Sequence, residues 1–172
     1  MPEVICMSQN LDEPTIRTAE AADIFQLAQL YYETVRQHAP QHYTAAQTQA
    51  WASFALDQSQ FAQLFTDATT FLMEDEGEIL GFAGLASDGH VTAVYVRSDR
   101  LGQGIGSQLM TSLLERAKIQ NIPRLYAEAS EFSLGLFLKF GFHQFDSEIV
   151  ERDGVQFHRY LVEKPDSHRG AS

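Results

Sequence analysis

The sequence predicts a mixed α/β fold in which a central sheet carries helices on both faces. Three observations lead to this prediction. The apolar patterns follow the order strand, helices, strands, helix, strand, helix, strands. Hydrophobic residues make up 44% of the 172 residues, which is enough for one sizeable core. No repeat or linker-like stretch divides the chain, so we expect a single domain.

The first part of the chain is predicted to be helical after one short strand. Apolar residues recur at every third or fourth position in "DIFQLAQLYYETVRQ", as in an amphipathic helix. Thr44 and Gln47 have the spacing of a capping box, which marks the start of another helix. The predicted elements are a strand at 15–19 and helices at 23–37, 46–55 and 59–67.

The remainder alternates between strand and helix patterns. β-branched runs bounded by Gly-containing turns are typical of strands, and a leucine-rich run must end as a helix before Pro123. Gly141 is well placed to end the last helix. We expect strands at 69–74, 78–87, 90–96 and 124–130, helices at 105–122 and 131–140, and a final hairpin of 142–150 and 155–163 around a turn at 151–154.

Composition restricts the partners of the protein. The formal net charge is −11, which disfavours nucleic acid and anionic membranes and would attract a cationic substrate. The chain has a single cysteine, Cys6, and no secretory leader, and these features favour a cytoplasmic location. We expect an N-terminal arm at 1–13, one domain at 14–164 and a flexible tail at 165–172.

The stretch "YVRSDRLGQGIGSQLM" places Gly102, Gly104 and Gly106 between a predicted strand and a predicted helix. The first turn of a helix leaves backbone N–H groups unpaired and carries partial positive charge, so it binds phosphates well. Glycines allow the ligand to approach the backbone closely. The pattern therefore favours an anion-binding loop, and a tight turn that binds nothing is the alternative.

Two familiar phosphate motifs do not match this loop. The dinucleotide fingerprint G-x-G-x-x-G requires a third glycine where the chain has Ser107. The P-loop requires Gly and Lys where the chain has Ser107 and Gln108. A diphosphate held by successive backbone amides, without a metal or a lysine, fits the stretch better.

The loop resembles the acetyl-CoA loop of the GNAT superfamily of N-acetyltransferases, whose pattern is Gln/Arg-x-x-Gly-x-Gly/Ala. Gly104 and Gly106 match its two small positions. The later stretch "LYAEASEFSLGLFLKFGF" resembles the family's fifth strand, short helix and closing Gly-Phe, with Ser130 ending the strand and Gly141 and Phe142 closing the helix. The resemblance covers about residues 14 to 163.

The resemblance implies a mixed, mostly antiparallel sheet of six or seven strands, whose fourth and fifth strands splay apart around acetyl-CoA. The cofactor's pantetheine arm would pair with the fourth strand, and an amide near Val94 would polarise the acetyl carbonyl. No metal is implied. The implied cofactor-binding residues are Val94, Tyr95, Val96, Leu101, Gly102, Gln103, Gly104, Ile105, Gly106, Ser107, Ser130 and Phe137.

The chain departs from the family pattern at two positions. Leu101 replaces the Gln or Arg, although Arg100 is adjacent, and Phe137 replaces a Tyr that many members use to protonate the leaving thiolate. Amide contacts to the diphosphate need neither side chain, so cofactor binding is still expected. Loss of one general acid need not abolish turnover, since such help contributes about 10²- to 10⁴-fold in rate.

Candidates for proton chemistry follow from strand periodicity. Glu128 and Ser130 share one face of the predicted fifth strand, and we expect both at the catalytic centre. His90, which opens the fourth strand, is either a base or an ordinary turn residue. Tyr32, His42 and Tyr126 are the candidate acceptor-binding residues.

The resulting functional prediction is an acetyl-CoA-dependent N-acetyltransferase that transfers the acetyl group directly to a primary amine, with a small molecule as acceptor. An acyl-CoA-binding regulatory module that has lost catalysis is the alternative, motivated by Phe137. Acetylation of a protein amino terminus or of lysines is a third possibility. The family often pairs, so a homodimer is possible.

Overall fold

The computed structural model describes residues 13–166. The strands are β1 (Thr15–Thr18), β2 (Ala68–Asp75), β3 (Glu78–Ala86), β4 (Val91–Val96), β5 (Arg124–Ala129), β6 (His143–Arg152) and β7 (Val155–Pro165). The helices are α1 (Ile24–His38), α2 (Ala45–Ser53), α3 (Gln58–Thr66), α4 (Ile105–Ile119) and α5 (Leu134–Lys139). Cys6 and nearly all of the predicted arm and tail lie outside the described residues.

The strands form two antiparallel sheets, ordered β1-β2-β3-β4 and β5-β7-β6. The last hairpin turns more tightly than the predicted four-residue turn. Asp153 and Gly154 have φ values of 50° and 76°, as a two-residue hairpin turn requires, so Arg152 pairs directly with Val155. Strand β6 therefore continues two residues further toward the turn than predicted, to Arg152, whereas β7 begins at Val155 as predicted.

The two sheets meet where β4 and β5 begin. A single parallel bridge joins His90 to Tyr126, and the Tyr126 N–H donates to the Gly89 carbonyl at 3.0 Å. Beyond this bridge the two strands belong to different sheets. The predicted splaying of the fourth and fifth strands is confirmed, and it opens a wedge between them.

Helices cover both faces, as predicted. On one face α4 packs Leu109, Met110 and Leu113 against β3, and these three side chains are fully buried. On the other face α1 and α3 contribute Leu27 and Phe61 to a second buried cluster. The two cores hold β3 and β4 rigidly between them, so the open edge of β4 has a fixed position.

Helix α5 is shorter than predicted because its first residues form a capped turn. The Ser133 N–H donates to Ser130 Oγ at 3.2 Å, and the Ser130 N–H donates to Ser133 Oγ at 2.9 Å. This reciprocal pair satisfies backbone groups that the helix itself leaves unpaired. The regular helix therefore begins at Leu134 rather than at residue 131.

Candidate active site

The wedge between β4 and β5 widens into a cleft of about 420 Å³. Its inner wall is β4, and its other walls come from α1, α2, β5, α5 and the β6–β7 hairpin. Of the residues predicted for the site, Val94, Tyr95, Val96, Leu101, Glu128, Ser130 and Phe137 line this cleft. The splayed strands thus bring together side chains that lie as far apart in the sequence as Val94 and Phe137.

The open edge of β4 presents backbone amides to the cleft. The Arg97 N–H donates to the Leu80 carbonyl of β3, and the bonding direction alternates along an antiparallel strand. The N–H groups of Val94 and Val96 therefore point away from β3, toward the wedge. This geometry suits an extended ligand arm that pairs with β4 as an added strand would.

The glycine loop has the open backbone that a diphosphate requires. Gly102 and Gly104 have φ values of 76° and 79°, and no heavy atom lies within 4 Å of a Cβ built on either residue. Gly104 directly precedes the 15-residue helix α4, whose first-turn amides have no partner within the helix. Ile105 is buried in the core, so it can offer its amide only. The loop residues therefore fit the diphosphate of a CoA cofactor.

Lys139 is a loop neighbour that the sequence analysis did not identify. Its Nζ donates to Ser107 Oγ at 2.9 Å, across from α5 to the first turn of α4. A cation therefore lies beside the loop, and the expectation that backbone amides hold the diphosphate without a lysine stays a prediction. Sequence spacing could not reveal this, since 32 residues separate Lys139 from Ser107.

Ser130 and Phe137 each have a structural role in the wall of the cleft. Ser130 Oγ accepts from the N–H groups of Phe132 and Ser133, so it fixes the turn that leads into α5 while it lines the cleft. Phe137 is buried and meets the Phe142 ring edge-on at 5.0 Å. Phe137 therefore closes the cleft wall with an apolar ring, which has no proton to donate.

His90 and Glu128 form a close pair in the cleft. The imidazole Nε2 lies 2.6 Å from Glu128 Oε2, and about 30% of each side chain is exposed (31% and 29%). This hydrogen bond, together with the charges of Glu128 and Asp88, raises the pKa of His90 above its ordinary value of 6.5, although partial burial and the charge of Arg159 oppose the rise. The same contact lowers the pKa of Glu128. The sequence predicted the strand on which each residue lies, but it could not predict that the two side chains pair.

Two further side chains orient His90. Asp88 accepts from the His90 backbone N–H at 3.0 Å and from the Tyr126 hydroxyl at 2.6 Å. The Tyr126 ring stacks on the imidazole, with ring centres 4.9 Å apart and planes 12° apart. Tyr126 thus lies behind His90 rather than on the wall of the cleft, where it was expected to contact the acceptor.

The other two predicted acceptor residues also differ in position. Tyr32 lies outside the cleft, where its hydroxyl accepts from Arg36 Nη1 at 3.0 Å. Its neighbour Tyr31 lines the cleft instead, because it lies on the buried face of α1. His42 is exposed at the rim, with its ring 5.0 Å from that of Phe132.

Aromatic side chains form most of the remaining wall of the cleft. Trp51 Nε1 donates to the Tyr95 hydroxyl at 3.2 Å, and Tyr43 meets Trp51 edge-on at 5.2 Å. Phe54 and Phe157 complete this group. Trp51 and Phe54 also pack against the buried cluster of α1 and α3, and apolar residues have the same helical spacing whether they face a core or a cleft.

The described residues contain no group of three or more His, Cys, Asp or Glu side chains that could hold a metal ion. Over the same residues, no helix is both long and apolar enough to cross a membrane.

Comparisons with known proteins agree with this geometry. The family model for the Acetyltransferase (GNAT) domain matches residues 39–164. An L-methionine sulfoximine/L-methionine sulfone acetyltransferase of Pseudomonas paraeruginosa is 32% identical over 127 residues, which are 67% of this chain and 69% of that protein. The chain belongs to the GNAT acetyltransferase family. It is therefore an acyltransferase of the N-acetyltransferase type.

Other GNAT proteins resemble the chain over most of its length. An uncharacterized N-acetyltransferase of Escherichia coli, YafP, is 23% identical over 89% of this chain and 97% of its own. A GCN5-related N-acetyltransferase structure from Rhodopseudomonas palustris superposes with a TM-score of 0.84 at 26% identity, over 88% of this chain and 95% of its own. PaiA N-acetyltransferase from Thermoplasma acidophilum, solved with coenzyme A, shares the fold at 14% identity and a TM-score of 0.73, over 90% and 99%.

Proposed function

We propose that this GNAT protein uses acetyl-CoA to acetylate the primary amine of a small molecule. The observation that carries the proposal is the His90–Glu128 pair, which opens into the same cleft as the free amides of β4. A proton acceptor and a binding edge for an extended thioester arm then face one another. The glycine loop and Lys139 lie where they can hold a diphosphate.

Each part of the cleft has a distinct task in this proposal. Bound acetyl-CoA supplies an activated acetyl thioester. The Val96 and Val94 amides hold and align the arm, and the Val94 N–H donates to the carbonyl oxygen on which negative charge develops. Phe137 and Leu136 exclude water from the apolar wall beside it.

Proton removal is the task of the pair. Attack requires a neutral amine, so an ammonium acceptor must first lose a proton. We assign its uptake to the His90 imidazole, with Glu128 stabilising the imidazolium that results. Glu128 thus remains part of the proposed catalytic pair, whereas Ser130, which fixes the turn before α5, holds the wall in place. His90 also borders a second surface depression containing Asp67 and Asp88, through which the proton can reach solvent.

The cleft size supports a small acceptor. A cavity of about 420 Å³ must take both the reactive end of the cofactor and the acceptor. The Pseudomonas relative named above is an acetyltransferase of two small molecules, which favours the same class here. Phe137 cannot protonate the leaving thiolate, but solvent can do so instead.

The proposal is tested with purified protein, acetyl-CoA and a panel of small primary amines, with release of the CoA thiol as the readout. We expect thiol release that depends on both the amine and the protein. The matched variants are His90→Gln and His38→Gln, since His38 also lines the cleft but bonds the Ser98 carbonyl instead. His90→Gln should lose about 100-fold or more in kcat/KM, whereas His38→Gln should keep most of it.

Tight binding of CoA without thiol release for any amine would contradict the proposal. That outcome would favour the acyl-CoA-binding module. Equal activity of His90→Gln and the wild type would remove the pair from the chemistry while leaving acetyl transfer in place.

A further inference from the structure

The charges in the cleft differ from those of the whole chain. The formal net charge of the protein is −11, which led us to expect attraction of a cationic substrate. Among the described residues that line the cleft, Glu128 is the one carboxylate, whereas Arg152 and Arg159 contribute two guanidinium groups. The cleft is therefore poor in negative charge, and a purely cationic acceptor does not explain its lining.

One of the two arginines is already paired. Arg159 Nη2 donates to Glu148 Oε1, which lies opposite it on β6. The remaining influence of Arg159 falls on the catalytic pair, because its charge lowers the pKa values of both His90 and Glu128. The charge of Arg159 is thus matched by Glu148, although its buried Nε has no hydrogen-bond partner.

Arg152 has no such partner. Its Cζ lies 5.6 Å from the centre of the Phe54 ring, and no acidic side chain among residues 13–166 forms an ion pair with it. Its positive charge opposes the rise that burial causes in the pKa values of Tyr31 and Tyr95. The guanidinium therefore lies close to the aromatic end of the cleft, with its donors available.

The cofactor phosphates do not account for Arg152. The loop that would hold them already has a cation of its own, Lys139, on α5. Arg152 comes from the end of the β6–β7 hairpin and lies against Phe54, just after α2. The hairpin is held there by Gln47, whose Nε2 donates to the Gln156 carbonyl at 2.9 Å. Arg152 therefore belongs to the acceptor end of the cleft.

We propose that Arg152 binds a carboxylate carried by the acceptor, so that the substrates are primary amines that also bear a carboxylate group. This inference rests on the proposed function. One unpaired guanidinium matches a single negative charge in a planar, two-oxygen group. A phosphate monoester carries about −1.5 to −2 charges at neutral pH and would remain undercompensated. The aromatic walls formed by Tyr31, Trp51 and Phe54 receive the body of the substrate.

The test uses pairs of amines that differ only in the carboxylate, such as phenylalanine with phenethylamine, tyrosine with tyramine, and 4-aminobutyrate with butylamine. Phosphoethanolamine tests the alternative that Arg152 binds a phosphate group of the acceptor. Trp51 is the single tryptophan of the chain and lines the cleft, so its fluorescence reports binding without requiring transfer. We expect at least one acid to bind at least tenfold more tightly than its decarboxylated partner.

The variant Arg152→Gln should abolish this preference, and Arg152→Lys should keep part of it. Arg36→Gln is the matched control, because Arg36 also lies 5.6 Å from an aromatic ring, that of Tyr32, but outside the cleft. It should bind as the wild type does. In turnover, Arg152→Gln should raise KM for the acids about tenfold or more and leave kcat nearly unchanged.

The inference is overturned if acids and decarboxylated amines bind equally, if phosphoethanolamine binds best, or if Arg152→Gln keeps the preference. Failure of the proposed function looks different. In that case no amine releases the CoA thiol, while the fluorescence titration still measures whether carboxylate binding depends on Arg152.

Discussion

His90 and Glu128 lie 38 positions apart in the chain, and neither has an unusual sequence context. Strand periodicity predicted which face of β5 carries Glu128, and the residue pattern placed His90 at the start of β4. The contact between them depends on the single bridge between the two sheets. Pairwise spacing within one element is visible in a sequence, whereas proximity across two strands is not.

This pair predicts how activity depends on pH. Glu128 raises the pKa of His90, so the imidazole stays protonated to a pH above 6.5 and accepts a proton only above its raised pKa. We expect kcat/KM to increase with pH through that value. In Glu128→Gln the raising contact is lost and Arg159 still acts, so the inflection should move to lower pH. The measurement is a pH–rate profile of both proteins.

Using the same amine for both proteins cancels the ionisation of the amine itself. Asp88 also raises the pKa of His90, so a residual upward shift can persist in the variant. An inflection that does not move, or that moves to higher pH, would contradict the assignment of His90 as the proton acceptor.

Gly104 allows a second prediction at the residue scale. Asp and Asn have nearly the same shape and both tolerate the left-handed backbone that Gly104 adopts, with φ at 79°. Gly104→Asp should weaken CoA binding by about 100-fold relative to Gly104→Asn, or about 2.7 kcal/mol, because only the carboxylate repels the diphosphate. Calorimetric titration with CoA measures both, and equal affinities would argue against this loop as the phosphate site.

Among the elements, those with a strong local pattern were predicted well. The amphipathic pattern of α1 and the capping box of α2 place both helices within one or two residues, and Thr44 and Gln47 do form the reciprocal cap. The start of α5 was missed because the Ser130–Ser133 cap replaces the first helical turn. The length of the last hairpin was missed because Asp153 adopts a positive φ, which non-glycine residues seldom do.

The functional elements were predicted less completely than the fold. The glycine loop has a distinctive pattern, so the cofactor site could be placed from sequence. The acceptor end of the cleft has no such sequence pattern. Its residues come from three elements and meet only through tertiary packing: Tyr31 from α1, Trp51 from α2 and Arg152 from β6. Lys139 was missed for the same reason.

The turn before β4 gives a prediction at the element scale. A Cβ on Gly89 would lie 2.0 Å from the Arg124 carbonyl oxygen, so a side chain there must push β4 and β5 apart. Gly89→Ala should lower the free energy of unfolding by about 1–3 kcal/mol and reduce transfer by separating His90 from Glu128. Urea denaturation and kcat measure the two effects.

Gly77→Ala provides the matched control. Gly77 also has a positive φ, 80°, but no heavy atom lies within 4 Å of the added Cβ. Gly77→Ala should therefore strain the backbone as Gly89→Ala does, but it should not lower kcat. Equal loss of activity in both variants would show that strain, rather than the approach of the two strands, explains the result.

At the scale of the whole molecule, backbone pairing between the two sheets is limited, among residues 13–166, to the His90–Tyr126 bridge, so a ligand that spans the wedge should add contacts between the sheets. CoA at 100 times its Kd should stabilise the folded protein by about 2.7 kcal/mol, which corresponds to a rise in Tm of roughly 5–10 °C for a chain of this size. Thermal denaturation with and without CoA tests this. Gly104→Asp should show a rise of only about 1–2 °C at the same CoA concentration, because that concentration is then close to its Kd.

The bridge at His90 and Tyr126 also has a mechanical consequence. Backbone pairing between β4 and β5 is confined to this bridge among residues 13–166, so the strand positions beside it are the most restrained. Cofactors with bulkier acyl chains would spread the distant ends of β4 and β5, at Val96 and Ala129, while the 2.6 Å contact between the imidazole and the carboxylate stayed nearly constant. The proton-transfer geometry would then depend little on the size of the acyl group.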